Sequence, residues 1–333
     1  MKKFDRFKIQ FNADFLIDWE NYKDNYDPNF KSRKNHTYTL LQKNLKKYLG
    51  LNSILYKETD LEDVVDIEFT GKILGKNYHK LISIDTIREC LENIVNTGMI
   101  NFDIDKVLNY SRVLSLDVTC DVKSPISTEK ALEALKYISI NEKWHLRTFN
   151  HTGITIYYEA LSKDFHLNIY DKPKEVRKKY QFFPKDCDIR NFDNIIRFEV
   201  QIRDFETLQE YLCVPKVHGY FRLLDVLQSD QKVILNVLDT IEMDESFTIS
   251  KSHATMTAAE IEKDQHMERV IIEAGYDINK VMSYLKMIKG YRSAAIKKRY
   301  INKLNELRSA KFDDKFQVIK EFRELIKKSY SDK

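Results

Sequence analysis

The stretch SRVLSLDVTCDV, residues 111–122, alternates apolar and polar side chains over most of its length. Its apolar positions are Leu114, Leu116, Val118 and Cys120, and its polar positions are Ser115, Asp117, Thr119 and Asp121. Successive side chains of a β-strand point to opposite faces of the sheet, so this spacing predicts a strand with one apolar and one polar face. The polar face would carry two carboxylates.

Two later stretches repeat the pattern. In FHLNIYDK, residues 165–172, the polar face is predicted to hold His166, Asn168, Tyr170 and, if the strand continues, Lys172. In RFEVQIR, residues 197–203, it is predicted to hold Arg197, Glu199, Gln201 and Arg203. If the three strands are neighbours in one antiparallel sheet, carboxylates, a tyrosine, a lysine and two arginines share one surface.

The rest of the chain predicts an α+β fold. Further extended runs occur at 4–11 and 63–70, amphipathic helices at 84–96 and 127–138, and an antiparallel meander over 144–171. After about residue 204 the apolar period becomes helical. We therefore predict a central antiparallel sheet with flanking helices over residues 1–215, with its core at 108–215, and a helical C-terminal domain over 216–333.

Composition excludes several classes of protein. The 333 residues are 43% hydrophobic and 12% aromatic, which is ample for packed cores. The four cysteines stand far apart without a CxxC motif, so neither a zinc site nor a disulfide framework is indicated. No apolar run approaches the roughly 18 residues of a membrane span, and we expect a cytoplasmic protein without a membrane partner. The net charge of +4 is too small to indicate a polyanion partner by itself.

The polar face permits two interpretations. Tyr170 could attack a phosphodiester and hold the broken strand, with Asp117 and Glu199 binding Mg²⁺ or Mn²⁺ and Lys172 favouring the phenolate. Alternatively, the face is an ordinary solvated sheet surface whose charges pair with one another. Spacing alone favours the second interpretation.

An ordered set of short motifs resembles the gene II/X replication proteins of filamentous phages and related plasmid initiators. The motifs are VLSLDVTCDVKSP, the helix ALEALKYI, NIYDKPKEV and IIRFEVQIRDFETLQEYLCVP, and their order and spacing hold over residues 108–215. EFTGKILGKN at 68–77 and ERVIIEAGYDINKVMSYLKMI at 268–288 add weaker similarity. Two positions depart from the family pattern, since Ser115 replaces an arginine and Lys76 replaces a histidine.

This resemblance implies a function and a set of residues. It implies a rolling-circle initiator that is related by chemistry to the HUH endonucleases, nicks a plus-strand origin and forms a 5′-phosphotyrosine in a bacterial host. The matching catalytic positions are Tyr170, Lys172 and Glu175, and the matching acidic positions are Asp117 and Glu199. His166 is a candidate third metal ligand, although a lone histidine beside a sheet is more often structural. The implied partners are single-stranded and duplex origin DNA and the host helicase and polymerase.

The assignment leaves alternatives open. Tyr180 is the nearest competitor as nucleophile, followed by Tyr157 and Tyr158. Arg197 and Arg203 are predicted DNA contacts, and the basic stretch 280–308 predicts duplex binding through Lys297, Lys298 and Arg299, unless it is only a solvated helix face. A non-catalytic DNA-binding regulator and a relaxase of a mobile element remain alternative functions.

Overall fold

The computed structural model describes most of the chain. The described residues are 3–30, 36–45, 48–136, 138, 140, 144–149, 153–158, 165–179, 181, 183–212, 214–229, 232–241, 257–275, 277–287, 294–310 and 313–331.

Ten strands form one antiparallel sheet in the described part of the chain. The strands are β1 (Lys3–Asn12), β2 (Tyr26–Phe30), β3 (His36–Leu40), β4 (Leu51–Glu58), β5 (Val64–Thr70), β6 (Arg112–Lys123), β7 (Trp144–Phe149), β8 (Gly153–Tyr158), β9 (Phe165–Asp171) and β10 (Ile195–Ile202). Their order across the sheet is β2-β3-β4-β5-β1-β6-β10-β9-β8-β7. The N-terminal strand β1 therefore lies in the interior of the sheet, between β5 and β6.

The register brings the predicted polar faces together. Asp117 on β6 is paired with Gln201 on β10, and Asp121 is paired with Arg197. On the other side of β10, Arg197 is paired with Tyr170 of β9. Directly opposed residues of an antiparallel pair point to the same face, so the three polar faces form one continuous surface.

Twelve helices accompany the sheet in the described residues. They are α1 (Gln42–Leu45), α2 (Ile87–Val95), α3 (Ile104–Tyr110), α4 (Thr128–Leu135), α5 (Lys172–Lys178), α6 (Phe205–Tyr211), α7 (Leu223–Gln228), α8 (Val233–Ile241), α9 (Ala258–Glu273), α10 (Ile278–Met287), α11 (Ala294–Ala310) and α12 (Asp313–Ser331). The α+β architecture, with its antiparallel sheet and helical C-terminal region, is confirmed. Among the residues described, no helix is long and apolar enough to cross a membrane.

The apolar face of the sheet and the C-terminal helices share one core. The rings of Phe198 on β10 and Phe322 on α12 lie 5.9 Å apart. Buried residues from β1 to Ile326 of α12 form a single hydrophobic cluster. The predicted boundary at residues 215 and 216 stays a prediction, and packing across it is extensive.

The polar face is partly covered by a smaller apolar cluster. Tyr78 and Leu81, from the segment after β5, pack with Val176 of α5 and with residues that precede β10. This cover, together with α5, forms one wall of a cleft over the centre of the sheet.

The predicted continuation of β9 to Lys172 is wrong, because the strand ends at Asp171. The carboxylate of Asp171 accepts a hydrogen bond from the backbone N–H of Lys174 and caps α5, whose first residue is Lys172. Pro173 is at the second helical position, where its lack of an N–H costs nothing. Tyr170 is therefore the last residue of the strand that presents a side chain to the polar face.

Candidate active site

A cleft of about 510 Å³ opens on the polar face of the sheet. Its floor is formed by strands β1, β6, β8, β9 and β10, and its wall by α5 and the segment after β5. The acidic residues that line it are Asp5, Asp117, Asp171, Glu175 and Glu199. The lysines that line it are Lys72, Lys174, Lys178 and Lys179. Tyr170 and Phe149 also face the cleft.

Tyr170 and Glu199 form a hydrogen-bonded pair at the centre of this cleft. The Tyr170 hydroxyl donates to Glu199 Oε2 at 3.0 Å, and Gln201 donates to the other carboxylate oxygen at 2.7 Å. Burial and the neighbouring Glu199 raise the pKa of Tyr170 well above its ordinary value. Burial and the nearby Asp5 raise the pKa of Glu199. The tyrosine is therefore a neutral phenol beside a carboxylate that can accept its proton.

Gly153 makes room for Tyr170. The two residues are directly opposed in the β8–β9 pair. A Cβ atom at position 153 would lie 2.9 Å from Cβ of Tyr170 and 3.1 Å from the carbonyl oxygen of Ile169. The absence of a side chain on β8 thus permits the close strand pairing that fixes the Tyr170 backbone.

Asp117 is held by two arginines. Arg6 donates from Nε to Asp117 Oδ1 at 3.3 Å, and Arg203 donates to both carboxylate oxygens, at 3.3 Å for the Nη2–Oδ2 contact. Burial and Glu199 nevertheless raise the pKa of Asp117. Arg203, predicted from the sequence to contact DNA, is a partner of this carboxylate, and its DNA contact stays a prediction.

A DNA contact by Arg197 is not supported by its position, because the side chain is fully buried. Its Nε and Nη2 atoms donate to the two oxygens of Asp121 at 2.6 and 2.7 Å. Its Nη1 donates to the Tyr78 hydroxyl at 3.2 Å and lies 3.3 Å from Asp5 Oδ1. The buried guanidinium therefore places a positive charge beneath the cleft.

Lys172 and Glu175 form an ion pair at the start of α5. Lys172 Nζ lies 2.6 Å from Glu175 Oε2 and donates to the Tyr78 hydroxyl at 2.9 Å. Although burial opposes it, Lys172 lowers the pKa of Glu175 to about 2. Lys172 Nζ is 5.7 Å from the centre of the Tyr170 ring. At this distance Lys172 makes no hydrogen bond to Tyr170, and its effect on the phenolate stays a prediction.

The remaining predicted residues lie away from Tyr170. His166 is four residues back along β9, opposite Gln201, and does not line the cleft. Burial lowers the pKa of His166, and its Nδ1 has no hydrogen-bond partner among the described residues. Tyr157 stacks on His145, with ring centres 5.4 Å apart, whereas Tyr158 packs on Trp144. Tyr180 lies outside the described residues.

Three carboxylates in the cleft influence one another. Asp5 and Glu199 both raise the pKa of Asp117. Within the described structure, Oδ1 of Asp5 is buried without a hydrogen-bond partner. No three His, Cys, Asp or Glu side chains in the described part of the chain converge closely enough to bind a metal ion together. Mg²⁺ is usually bound by one or two carboxylates plus substrate phosphates, so these residues fit an ion whose coordination DNA completes.

Sequence reasoning missed Asp5, Tyr78 and Lys72. A register shift in the β1–β6 pairing falls at Asp5, between Phe4 and Arg6, so simple alternation does not assign its face. Burial raises the pKa of Tyr78 well above its ordinary value, and its hydroxyl receives hydrogen bonds from Lys172 and Arg197. The motif GKILGKN was a signal for this segment, but it did not indicate which side chains reach the cleft.

The three predicted duplex-binding residues lie far along the chain on α11. Lys297, Lys298 and Arg299 are all exposed. Lys297 and Lys298 border a groove between α10, α11 and the edge strand β7. They are accessible to a polyanion, and their role stays a prediction.

Fold and site together define an α+β protein with a tyrosine–carboxylate pair on the polar face of an antiparallel sheet. Residues 77–217 match the family model for the N-terminal region of the gene II replication-associated protein. The resemblance predicted from the motifs is therefore confirmed over these residues.

One solved structure similar to this chain is the rolling circle replication initiator protein from Geobacillus stearothermophilus. The match has 15% sequence identity and a TM-score of 0.37, and it covers 76% of this chain and 90% of that one. No curated protein matches the chain in sequence.

Proposed function

We propose that the protein initiates rolling-circle DNA replication by nicking one strand with Tyr170 and retaining the 5′ phosphate as a phosphotyrosine. The observation that carries the proposal is the hydrogen bond from Tyr170 to Glu199 in an open cleft, within the segment that matches the gene II protein family. A tyrosine with this partner has both a proton acceptor and access to substrate.

The proposed reaction exchanges one phosphodiester for another. The Tyr170 oxygen forms a bond to phosphorus as the bond to the 3′ oxygen breaks, and the phenol proton passes to Glu199 Oε2. The departing 3′ oxygen takes a proton from water. Because the phosphotyrosine preserves the ester, a later attack by a 3′ hydroxyl rejoins the strand without a nucleotide cofactor.

We propose that Glu199 and Asp117 bind Mg²⁺ or Mn²⁺, with DNA phosphate oxygens completing the coordination. The ion would neutralise charge on the scissile phosphate. Calorimetric titration with Mn²⁺ should show binding to the wild type and at least tenfold weaker binding to Glu199→Gln. Equal affinities would remove Glu199 from the site.

The remaining supporting residues position the nucleophile. The Lys172–Glu175 ion pair stabilises the first turn of α5, and Arg197, directly opposite Tyr170 in the β9–β10 pair, favours the ionised phenol. The free 3′ hydroxyl left by the nick is the substrate that a polymerase requires, and a helicase would supply the single strand. We propose both as host partners.

The experiment uses a supercoiled circle that contains the replicon's plus-strand origin, with Mn²⁺. We expect a nicked circle and a protein–DNA adduct whose linked peptide, mapped by mass spectrometry, contains Tyr170. Tyr170→Phe should fold and bind the origin but form no adduct. Tyr157→Phe is the matched control, because Tyr157 lies on the same polar face at the other end of β8, and it should form the adduct normally.

Three outcomes would contradict the proposal. An adduct on another tyrosine would reassign the nucleophile. Binding of the origin without nicking would favour the alternative of a non-catalytic regulator. Nicking without any covalent adduct would favour direct hydrolysis.

A further inference from the structure

The cleft contains a lysine that has no partner among the described residues. Lys72 lies directly after β5, in the 3-10 segment Gly71–Lys80, and is half-buried against the cleft that contains Tyr170 and Glu175. Its ammonium has neither a hydrogen bond nor an ion pair with any other residue, as far as the described structure extends.

The other cations around the cleft differ from Lys72. Lys172 and Arg197 are fully buried in contacts with Glu175 and Asp121. Lys179 pairs with Glu175 at 3.1 Å, and Lys174 lies 3.9 Å from Asp171. Lys178 is exposed on the last turn of α5. Lys72 is therefore a partly desolvated cation that is still available to a ligand.

The backbone that carries Lys72 is tightly held. Gly50 packs against it so closely that a Cβ atom there would lie 2.8 Å from the carbonyl carbon of Lys72 and 2.2 Å from the backbone nitrogen of Ile73. Gly50 itself has φ +92, a conformation that favours glycine. The side chain of Asn93 on α2 donates to the carbonyl oxygen of Ile73 at 3.0 Å. The backbone position from which the Lys72 side chain extends is therefore fixed relative to the sheet.

An unpaired, half-buried ammonium costs free energy that a bound anion would offset. Burial lowers the pKa of Lys72, and the neighbouring Lys172 lowers it further. The nearest charges of opposite sign act only at a distance, since Glu175 and Asp5 favour the ammonium without contacting it. The position is suited to a ligand that brings its own negative charge into the cleft.

We propose that Lys72 binds the DNA backbone phosphate that enters the cleft beside Tyr170, as a contact to substrate separate from the Lys172–Glu175 pair. The inference rests on the proposed function, because it takes single-stranded DNA as the occupant of the cleft. A phosphate at this position would lie between the Lys72 ammonium and the Tyr170 hydroxyl, and Lys72 would help to neutralise it.

The test measures binding and does not depend on nicking. Fluorescence anisotropy compares a labelled thymidine 12-mer with its uncharged methylphosphonate analogue, without divalent metal, over a range of salt concentrations. The proteins are wild type, Lys72→Met, Lys72→Arg and the control Lys8→Met. Lys8 is a partly exposed lysine on the same sheet face that lies outside the cleft. Thermal unfolding confirms that each variant folds.

We expect Lys72→Met to bind the phosphate oligonucleotide about tenfold more weakly at low salt and to reduce the salt slope by about 0.7, the value for one phosphate contact to a single strand. Lys72→Arg should keep most of the affinity, and Lys8→Met should match the wild type. All four proteins should bind the methylphosphonate analogue equally.

Unchanged affinity and slope for Lys72→Met would overturn the proposal, as would an equal loss on both oligonucleotides. Because binding is measured without cleavage, a protein that never forms the adduct can still pass this test. Conversely, a normal adduct on Tyr170 does not establish the Lys72 contact.

Discussion

At the scale of single residues, the central feature is a neutral tyrosine paired with a carboxylate whose affinity for protons is raised. Burial disfavours both charged forms, and the neighbouring acids add to the effect. Transfer of the Tyr170 proton to Glu199 moves charge within a pair that is already hydrogen-bonded. The chemistry proposed for Tyr170 therefore needs little rearrangement of the protein before DNA binds.

Gly153→Ala tests the space beside Tyr170. The new Cβ would meet Cβ of Tyr170 at 2.9 Å and must displace one of the two strands. We expect a loss of about 1–3 kcal/mol in the free energy of unfolding and a decrease in adduct formation on the order of 100-fold. Thr148→Ala, at an exposed position on neighbouring β7, should change neither measurement appreciably. A fully active Gly153→Ala protein would mean that the strands can separate freely here.

Glu175→Gln tests the ion pair at the start of α5. The folded-state pKa of Glu175 is about 2, below the ordinary 4.5, so its contribution to stability is present above about pH 4.5 and is lost as the pH falls toward 2. The variant should lose up to about 3 kcal/mol in the free energy of unfolding at pH 7 and much less near pH 2. Urea unfolding between pH 2 and 7 measures the difference. A constant difference over that range would exclude the carboxylate charge as its source.

At the scale of elements, the junction between β9 and α5 determines where the nucleophile is presented. Asp171 is buried, caps α5 and also accepts a hydrogen bond from Thr128 of α4 at 2.6 Å. One side chain thus joins a strand end, a helix start and a second helix. The direction of the Tyr170 side chain depends on that junction.

Asp171→Ala should destabilise the protein by about 2 kcal/mol, because it removes the cap and leaves the Thr128 hydroxyl without its acceptor. Asp171→Asn is the matched control, since its amide oxygen caps helices equally well and its amide N–H can donate to the Thr128 hydroxyl, which then accepts. Chemical denaturation of the two variants measures the difference. If asparagine were as damaging as alanine, the charge of Asp171 and not its hydrogen bonds would be responsible.

The sequence predicted elements better than contacts between them. Alternation located β6, β9 and β10 and correctly placed Asp117, Tyr170 and Glu199 on one face, because period-two patterning is a local property. The end of β9 was also encoded locally, since an aspartate before Lys-Pro and a glutamate in the first turn is a helix-start signature. The wrong prediction that β9 continues to Lys172 came from taking the residue before Pro173 as part of the strand.

The contacts missed from the sequence are those between remote segments. The burial of Arg197 depends on Asp121, on the adjacent strand, and on Tyr78, more than a hundred residues away. Likewise, the isolation of Lys72 depends on how Gly50 and α2 hold its backbone. No spacing rule within one segment contains that information.

At the scale of the whole molecule, the helices after the last strand have two different surroundings. Helices α8 and α12 contribute Ile234 and Phe322 to the common core. Helix α11 buries Tyr300 and Leu304 but exposes Lys297, Lys298 and Arg299. A duplex that contacted α11 would bind outside the cleft, so recognition of duplex and cleavage of a single strand can be separated experimentally.

Replacing Lys297, Lys298 and Arg299 with glutamine should weaken duplex DNA binding on all sequences and reduce the salt slope by up to about 3. Nicking of a short single-stranded oligonucleotide should persist. Lys327→Gln with Lys328→Gln, on α12, is the control for a general loss of positive charge. Equal losses on duplex and single strand would instead indicate a shared surface or misfolding.

The interior position of β1 has a consequence for how the protein can be divided. Residues 3–12 supply Asp5 and Arg6 and join β5 to β6, although in sequence they precede both of these strands. A chain that lacked residues 3–12 would leave the facing edges of β5 and β6 unpaired, with a gap of one strand between them. A synthetic peptide of those residues could bind in this gap as a donated strand, and DNA nicking would then depend on the concentration of the peptide.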